Sequence, residues 1–194
     1  NTTAQNESAK AYIDRAQEGI SRLSQILNKM SEASRLEHAL QSTEREKFNL
    51  HLLLKGCVHG YQLAYPHHKF ELRSNLENEE LAGSADLFVQ MLDKIIANAT
   101  DFSPDDEVIQ FELMGKPGQP VLSISNKGPL LPSDMQNQLL DSMVSVRQES
   151  QSNVPHLGIG LFIAKTIAEF HQGNIAIANN EIGDGVDVTI RFMT

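Results

Sequence analysis

The chain has 194 residues, of which 40% are apolar and 21% charged, and a formal net charge of −9. This is the composition of a soluble globular protein with room for one domain of moderate size and an appendage. The negative balance excludes a nucleic-acid phosphate backbone as main partner, but not a nucleotide, which needs only a local positive pocket. The single cysteine, Cys57, cannot form an internal disulfide and reads as a small buried residue in a reducing compartment. The sequence contains no apolar run of about 18 residues, the length that spans a membrane.

Asn1 to Glu7 is polar. From Ser8 to Gln41 there is no proline and one glycine, Gly19. Ala9, Ile13, Ala16, Ile20, Leu23, Leu27 and Met30 alternate steps of four and three, and the pattern continues with drift through Ala33, Leu36 and Leu40. This is a heptad seam. A single helix cannot bury such a seam alone. A helix from a second copy of the chain is expected against it, the plainer alternative being a surface helix lying on its own domain. Gln41 to Glu46 is polar and charged and marks the domain boundary, giving 1–44 and 45–194.

Phe48 and Leu50 alternate with polar residues as a short strand, and His51 to Ala64 reads as a helix ended before Pro66. Lys69 to Arg73 alternates as a strand. His67 and His68 are expected in a solvated loop. Asp86 to Ser103 is a helix followed by Pro104. Glu107 to Met114 and Gln119 to Ser125 form a hairpin around Gly115-Lys116-Pro117-Gly118. Ser133 to Leu140 reads as a short helix, and Asp141 to Pro155, polar and rich in serine, as a loop. Gly158 to Phe170 is a helix. Asn174 to Ala178 and Val186 to Phe192 are the last strands, around Gly183-Asp184-Gly185. The order predicts an α+β two-layer sandwich, a mixed sheet with helices on one face.

Three stretches carry chemistry. In the helix from Asp86, the apolar side holds Leu87, Phe88, Met91, Leu92, Ile95, Ile96 and Ala99, and Gln90, Lys94, Asn98 and Asp101 line the opposite side. Asn98 is a mediocre helix former with no cap to make there. Gly158 and Gly160 open a helix, where free backbone amides and the helix dipole suit phosphate oxygens. The dinucleotide fingerprint fails because Ile163 occupies its third glycine position, and the P-loop pattern is absent. A strand ends in Asn126-Lys127-Gly128. Each stretch alone is weak: a polar face, a helix start and a turn.

Their order resembles the ATP-binding domain of sensor histidine kinases, a superfamily shared with gyrase and heat-shock ATPases. ANATDFS resembles the N box, NKGPLL the first glycine box and GIGLFIAK the second, with LLDSMVS in place of the phenylalanine-containing box. The likeness runs from about Leu50 to Thr194. DSMVSVR and PHLGIGLFIAKTIAEFHQG look most like the kinase of the proteobacterial dedicated sortase system. The resemblance implies ATP and Mg²⁺ as cofactors, with Asn98 as metal ligand and Asn98 and Lys94 as catalytic residues. It implies a nucleotide site of Asp101, Phe102, Asn126, Gly128, Leu131, Arg147, Gly158, Ile159, Gly160 and Leu161, in which Asn126 meets the adenine amino group and Arg147 is the cation of a lid. Ser8 to Gln41 would be the second helix of a dimerisation hairpin.

The sequence departs from the family pattern at several positions. Lys94 stands where a polar residue, often asparagine, is usual, and either contacts a phosphate or points to solvent. Asp101 replaces a basic residue, Asn126 an aspartate, and Leu130 the last glycine of the first box. None of the seven histidines has the acidic and basic followers of a phosphoacceptor. The resemblance therefore implies the catalytic fragment of a bacterial two-component kinase whose acceptor histidine lies elsewhere. Its implied partners are a second copy of the chain and a response regulator receiver domain. Its implied location is the cytoplasmic side of an inner-membrane protein, with membrane contact only through segments outside this sequence. The alternative is a degenerate, nucleotide-poor module for dimerisation and partner binding. A gyrase-type ATPase is disfavoured because Lys94, not glutamate, stands four residues before Asn98; a serine kinase of the anti-sigma type is the third reading.

Overall fold

A computed structural model describes residues 38–132, 140 and 159–193, with scattered positions between 12 and 36 and with Ile159 in its backbone alone. The described positions between 12 and 42 are helical. The elements that follow are β1 (Glu46–Asn49), α1 (Leu50–Ala64), β2 (Lys69–Ser74), β3 (Glu80–Gly83), α2 (Ala85–Phe102), β4 (Val108–Lys116) and β5 (Gln119–Lys127). After them come α3 (Ile159–Phe170), β6 (Gly173–Asn179) and β7 (Gly185–Phe192). The expected helix over Ser133 to Leu140 and the loop from Asp141 to Pro155 fall outside the described residues, Leu140 excepted.

The main sheet has the order β2-β4-β5-β7-β6. β2 runs parallel to β4, and the other neighbours are antiparallel, so the sheet is mixed. Strand alternation sets its two faces. Phe70, Ile109, Phe111, Leu113, Leu122, Ile124, Val188 and Ile190 are buried with the apolar sides of the helices. Gln110, Glu112, Ser123, Ser125 and Thr189 fall on the other face, half exposed. Each fully buried large side chain contributes about 1.5–3 kcal/mol of hydrophobic stabilisation. The β4–β5 turn closes at the Lys116–Gln119 pair, with Gly118 at φ +81°, a conformation that glycine adopts without strain. The Gly118 N–H is bound by the buried Glu79 carboxylate at 2.9 Å.

Three expectations need correction. The strand read through Phe48 and Leu50 stops at Asn49, whose side chain caps α1 by accepting the Leu52 N–H at 2.8 Å. Leu50 is therefore helical and fully buried. β1 also lies outside the main sheet: it pairs with β3, an element not read from the sequence, in a separate two-stranded sheet. His68 is not in a solvated loop; it is buried, with its Nδ1 unpaired among the described residues, whereas His67 is exposed.

The helix expected from Asp86 to Ser103 forms one residue earlier at each end. Ser84 caps it by accepting the Leu87 N–H, and Ser103 closes it by donating its N–H to Ala99. Pro104 follows and cannot continue the helix.

His171 ties the two site-bearing helices at their far ends. Its ring is 1% exposed and lies edge-on to Phe48, Phe88 and Phe170. Nδ1 is 2.8 Å from the carbonyl of Ile167, which can only accept, so Nδ1 carries the proton. Nε2 then accepts the Ser84 N–H at 3.1 Å. A side chain at Gly83 would collide with this ring, so glycine is needed there. Burial lowers the His171 pKa below the usual imidazole value; the carbonyl oxygens of Ile167 and of Ser84, the latter 3.1 Å from Nε2, favour the protonated ring and oppose that shift, and the Arg45 charge adds to it. A lowered folded-state value means that the unfolded chain binds the proton first. Stability should hold above about pH 6.5 and fall as the pH drops below it, through the lowered folded-state value. Urea titrations across that range should show this loss, and His171→Asn should be less stable throughout but with a shallower slope. An identical slope in the variant would remove His171 as its source.

Candidate functional site

The site is built on α2. Leu87, Phe88, Met91, Leu92, Ile95, Ile96 and Ala99 are all buried, which fixes the direction of the opposite stripe. On the flank toward α1, the Tyr61 hydroxyl donates to Asp93 at 2.7 Å. Burial, then the Asp93 carboxylate, pushes the Tyr61 phenol and the Cys57 thiol up, so both stay protonated near neutrality. Cys57 is half-buried and packs on the core as an inert small residue.

The outer stripe of α2 is not simply solvated. Gln90, Lys94 and Asn98 are half-buried, and only Asp101 and Phe102 are exposed. Two other parts of the chain approach it. At one end is the start of α3: a Cβ built on Gly160 would lie 4.0 Å from the Lys94 Cβ. At the other end is the turn after β5: a Cβ on Gly128 would collide with the Phe102 carbonyl oxygen. Gly128 also has φ +154°. It is thus required by the chain's own backbone, whatever else it meets. Asn98 lies between the two approaches, and its side chain makes no hydrogen bond among the described residues.

The sequence-predicted residues are distributed as follows. Lys94, Asn98, Asp101 and Phe102 share α2. Asn126 is the penultimate residue of β5, and its Nδ2 donates to the Lys127 carbonyl at 3.0 Å, which orients the amide with Oδ1 as its remaining acceptor. Gly128 and Leu131 follow on the turn. Ile159, Gly160 and Leu161 open α3, with Leu161 packed on the core. Arg147 and Gly158 fall outside the described residues.

Sequence reading missed the β6–β7 hairpin as a wall of this site. The Gly128 N–H donates to the Asp184 carbonyl at 3.0 Å. A Cβ on Gly185 would collide with the Asn126 carbonyl, so β7 begins directly beside Asn126. Asn179 holds Leu131 by two hydrogen bonds: Oδ1 accepts the Leu131 N–H at 2.7 Å, and Nδ2 donates to the Leu131 carbonyl at 2.9 Å. The Gly183-Asp184-Gly185 turn was legible, but nothing in the sequence pattern marks Asn179.

The arrangement offers an uncommitted amide oxygen, a lysine, a helix N-terminus and a backbone turn along one helix face. Lys94 and Phe102 are eight residues apart, about 12 Å along the axis at helical rise.

Comparison with known proteins places this geometry. The family described as histidine kinase-, DNA gyrase B- and HSP90-like ATPase matches residues 83–194, more than half of the chain, including the whole of α2, β5 and α3. The heme sensor protein HssS of Staphylococcus haemolyticus is 24% identical over 178 residues. That alignment covers 92% of this chain but 38% of HssS, so the chain spans well under half the length of this relative. Full-length ShkA in complex with AMPPNP superposes with a TM-score of 0.69 at 15% identity, over 94% of this chain and 38% of that one. The histidine kinase ThkA, solved in complex with the response regulator TrrA, gives 0.64 at 19% identity, over 87% of this chain and 49% of that one. With its family signature extending across every element that builds the site, the chain belongs to the histidine kinase-, DNA gyrase B- and HSP90-like ATPases.

Proposed function

We propose that the chain is the ATP-binding catalytic part of a bacterial two-component sensor histidine kinase. The reaction is transfer of the γ-phosphoryl group of ATP to a histidine that this sequence does not carry. The observation behind this reading is the single stripe of α2 that meets Gly160 at one end and Gly128 at the other. The amides at the start of α3 and the Lys94 ammonium suit the phosphates. Gly128, Asn126, Asp101, Phe102 and Leu131 border the base, with Asn126 Oδ1 accepting from the adenine amino group. The half-buried amide of Asn98 between them fits Mg²⁺, a hard ion that keeps several waters and takes few protein ligands beside substrate phosphates. Bound Mg²⁺ neutralises charge on the phosphates. The protein's share is to align the γ-phosphoryl group with an incoming acceptor and to hold the leaving oxygens against fixed donors. Arg147 and Gly158 complete the phosphate side in this reading.

Residues 1–44 are assigned to a dimerisation hairpin and 45–194 to the catalytic domain. Exposure of Ile20, Leu23 and Leu27 supports a seam that a second copy covers. ThkA has been solved with a response regulator, which supports a receiver domain as the phosphoryl recipient downstream. No described helix is long and apolar enough to cross a membrane. A cytoplasmic position in a membrane-anchored kinase is part of this reading, and the likeness to a heme sensor protein, HssS, supports it. The finer likeness to dedicated sortase system kinases rests on the wording around the second glycine box.

The chain should bind Mg-ATP without labelling itself from γ-labelled ATP. A polypeptide carrying an acceptor helix should restore transfer, and Asn98→Ala should abolish it; strong labelling of the chain alone would overturn the assignment. The two glycines should separate folding from binding. Gly160→Ala should keep or raise thermal stability, since alanine is favoured in a helix by about 0.5–1 kcal/mol, while weakening ATP binding at least about fivefold. Gly128→Ala should cost about 2 kcal/mol of stability or more, through its positive φ and the Phe102 carbonyl, and weaken binding too. Calorimetric titration and thermal melting of both variants measure these effects. Light scattering should find more than monomer mass at micromolar concentration, and Leu23→Lys should shift it toward monomer.

A further inference from the structure

The turn from Gly128 to Leu131 is held at both ends by one hairpin. At its start, the Gly128 N–H donates to Asp184; at its end, both backbone groups of Leu131 are taken by the Asn179 side chain. Pro129 and Leu130 between them are exposed. Asp184 and Asn179 close the two strands of the β6–β7 hairpin, whose turn is itself fixed by Asn180. The Asn180 Oδ1 accepts the N–H groups of Gly183 at 2.8 Å and Asp184 at 3.0 Å, and its Nδ2 donates to the Asp184 carboxylate at 2.8 Å. The hairpin is therefore a rigid clamp and the turn its bracketed span. One side-chain amide satisfying an N–H and a carbonyl 48 residues away is more than a local turn requires.

We propose that Asn179 is a positioning residue for base recognition: through Leu131 it fixes the 128–131 turn in the shape that reads adenine before any nucleotide arrives. The inference rests on the nucleotide reading above and adds to it a determinant outside the residues that border the base. The Leu131 N–H belongs to the peptide before it and the Leu131 carbonyl to the peptide after it, so Asn179 holds both peptide planes that flank Leu131. Rotation of either would move the Leu130 and Leu131 backbone that borders the base. A misplacement of about 1 Å is enough to lose most of the benefit of a recognition hydrogen bond. Without the clamp, the turn must be ordered on binding, which costs affinity for the preferred base and leaves the phosphate end untouched.

The test is calorimetric titration of the full chain and its variants with an unhydrolysable ATP analogue and the matching GTP analogue, in magnesium. Wild type should prefer the adenine nucleotide. Asn179→Ala should lose about fivefold to tenfold in adenine affinity, with guanine affinity little changed, so the preference falls by the same factor; a merely structural role would weaken both alike. Asn179→Asp keeps the acceptor for the Leu131 N–H but loses the donor to its carbonyl, and should give an intermediate preference. It decides the matter if Asn179→Ala loses its native circular dichroism. Wild-type preference retained in the folded variant, or no preference in wild type, overturns the inference alone. Wild type that binds neither nucleotide overturns the nucleotide reading and the inference with it.

Discussion

The structure depends on one helix committed on both sides. α2 buries seven apolar residues, from Leu87 to Ala99, in the core it shares with the main sheet. That packing leaves no freedom of rotation about its axis, because turning the helix by one position would drive Lys94 or Asn98 into a core close-packed around Phe88, Phe111 and Phe192. The same hydrophobic energy that stabilises the fold therefore aims the polar stripe. Ser84 and His171 fix the start of this helix, and Gly128 abuts its end. Orientation, axial position and both termini are thus determined by contacts that need no ligand.

Glycine does two different jobs around this helix. At Gly83, Gly128 and Gly185 the missing side chain admits another part of the chain: the His171 ring, the Phe102 carbonyl and the Asn126 carbonyl. These are conditions of folding. At Gly160 the nearest side-chain atom among the described residues is the Lys94 Cβ, at ordinary van der Waals distance, so the described part of the fold places no such demand. A glycine the described fold does not need, at the start of a helix and beside a lysine, is where a phosphate can approach the backbone.

Much of this was legible in the sequence. The apolar rows of α2, the polar stripe with Asn98 and the following Pro104 follow from helical period and from what proline forbids. The β4–β5 and β6–β7 hairpins announced themselves by alternation around glycine pairs. What was not legible has common causes. β3 is four residues, Glu-Leu-Ala-Gly, too short and too poor in β-branched residues to signal a strand. Leu50 continued the alternation of β1, but Asn49 turns the chain into a helix by capping it. His68 was misplaced because burial of a polar ring is decided by tertiary surroundings. Asn179 escaped because a side chain gripping a backbone 48 residues away leaves no periodic trace.

The parallel pairing of β2 with β4 bears on how the molecule assembles. The β4–β5 ladder closes across a two-residue turn, so its chain-closure entropy is small. β2 can find β4 only after the intervening chain, which includes β3 and all of α2, has been drawn in. β5 must likewise wait for β7 across everything from Gly128 to Asp184. On these grounds the two hairpins are early, local structures, and the sheet is completed when α2 docks and brings the non-local edges together. The helix that aims the site is then also the element whose docking converts separate hairpins into a cooperative domain.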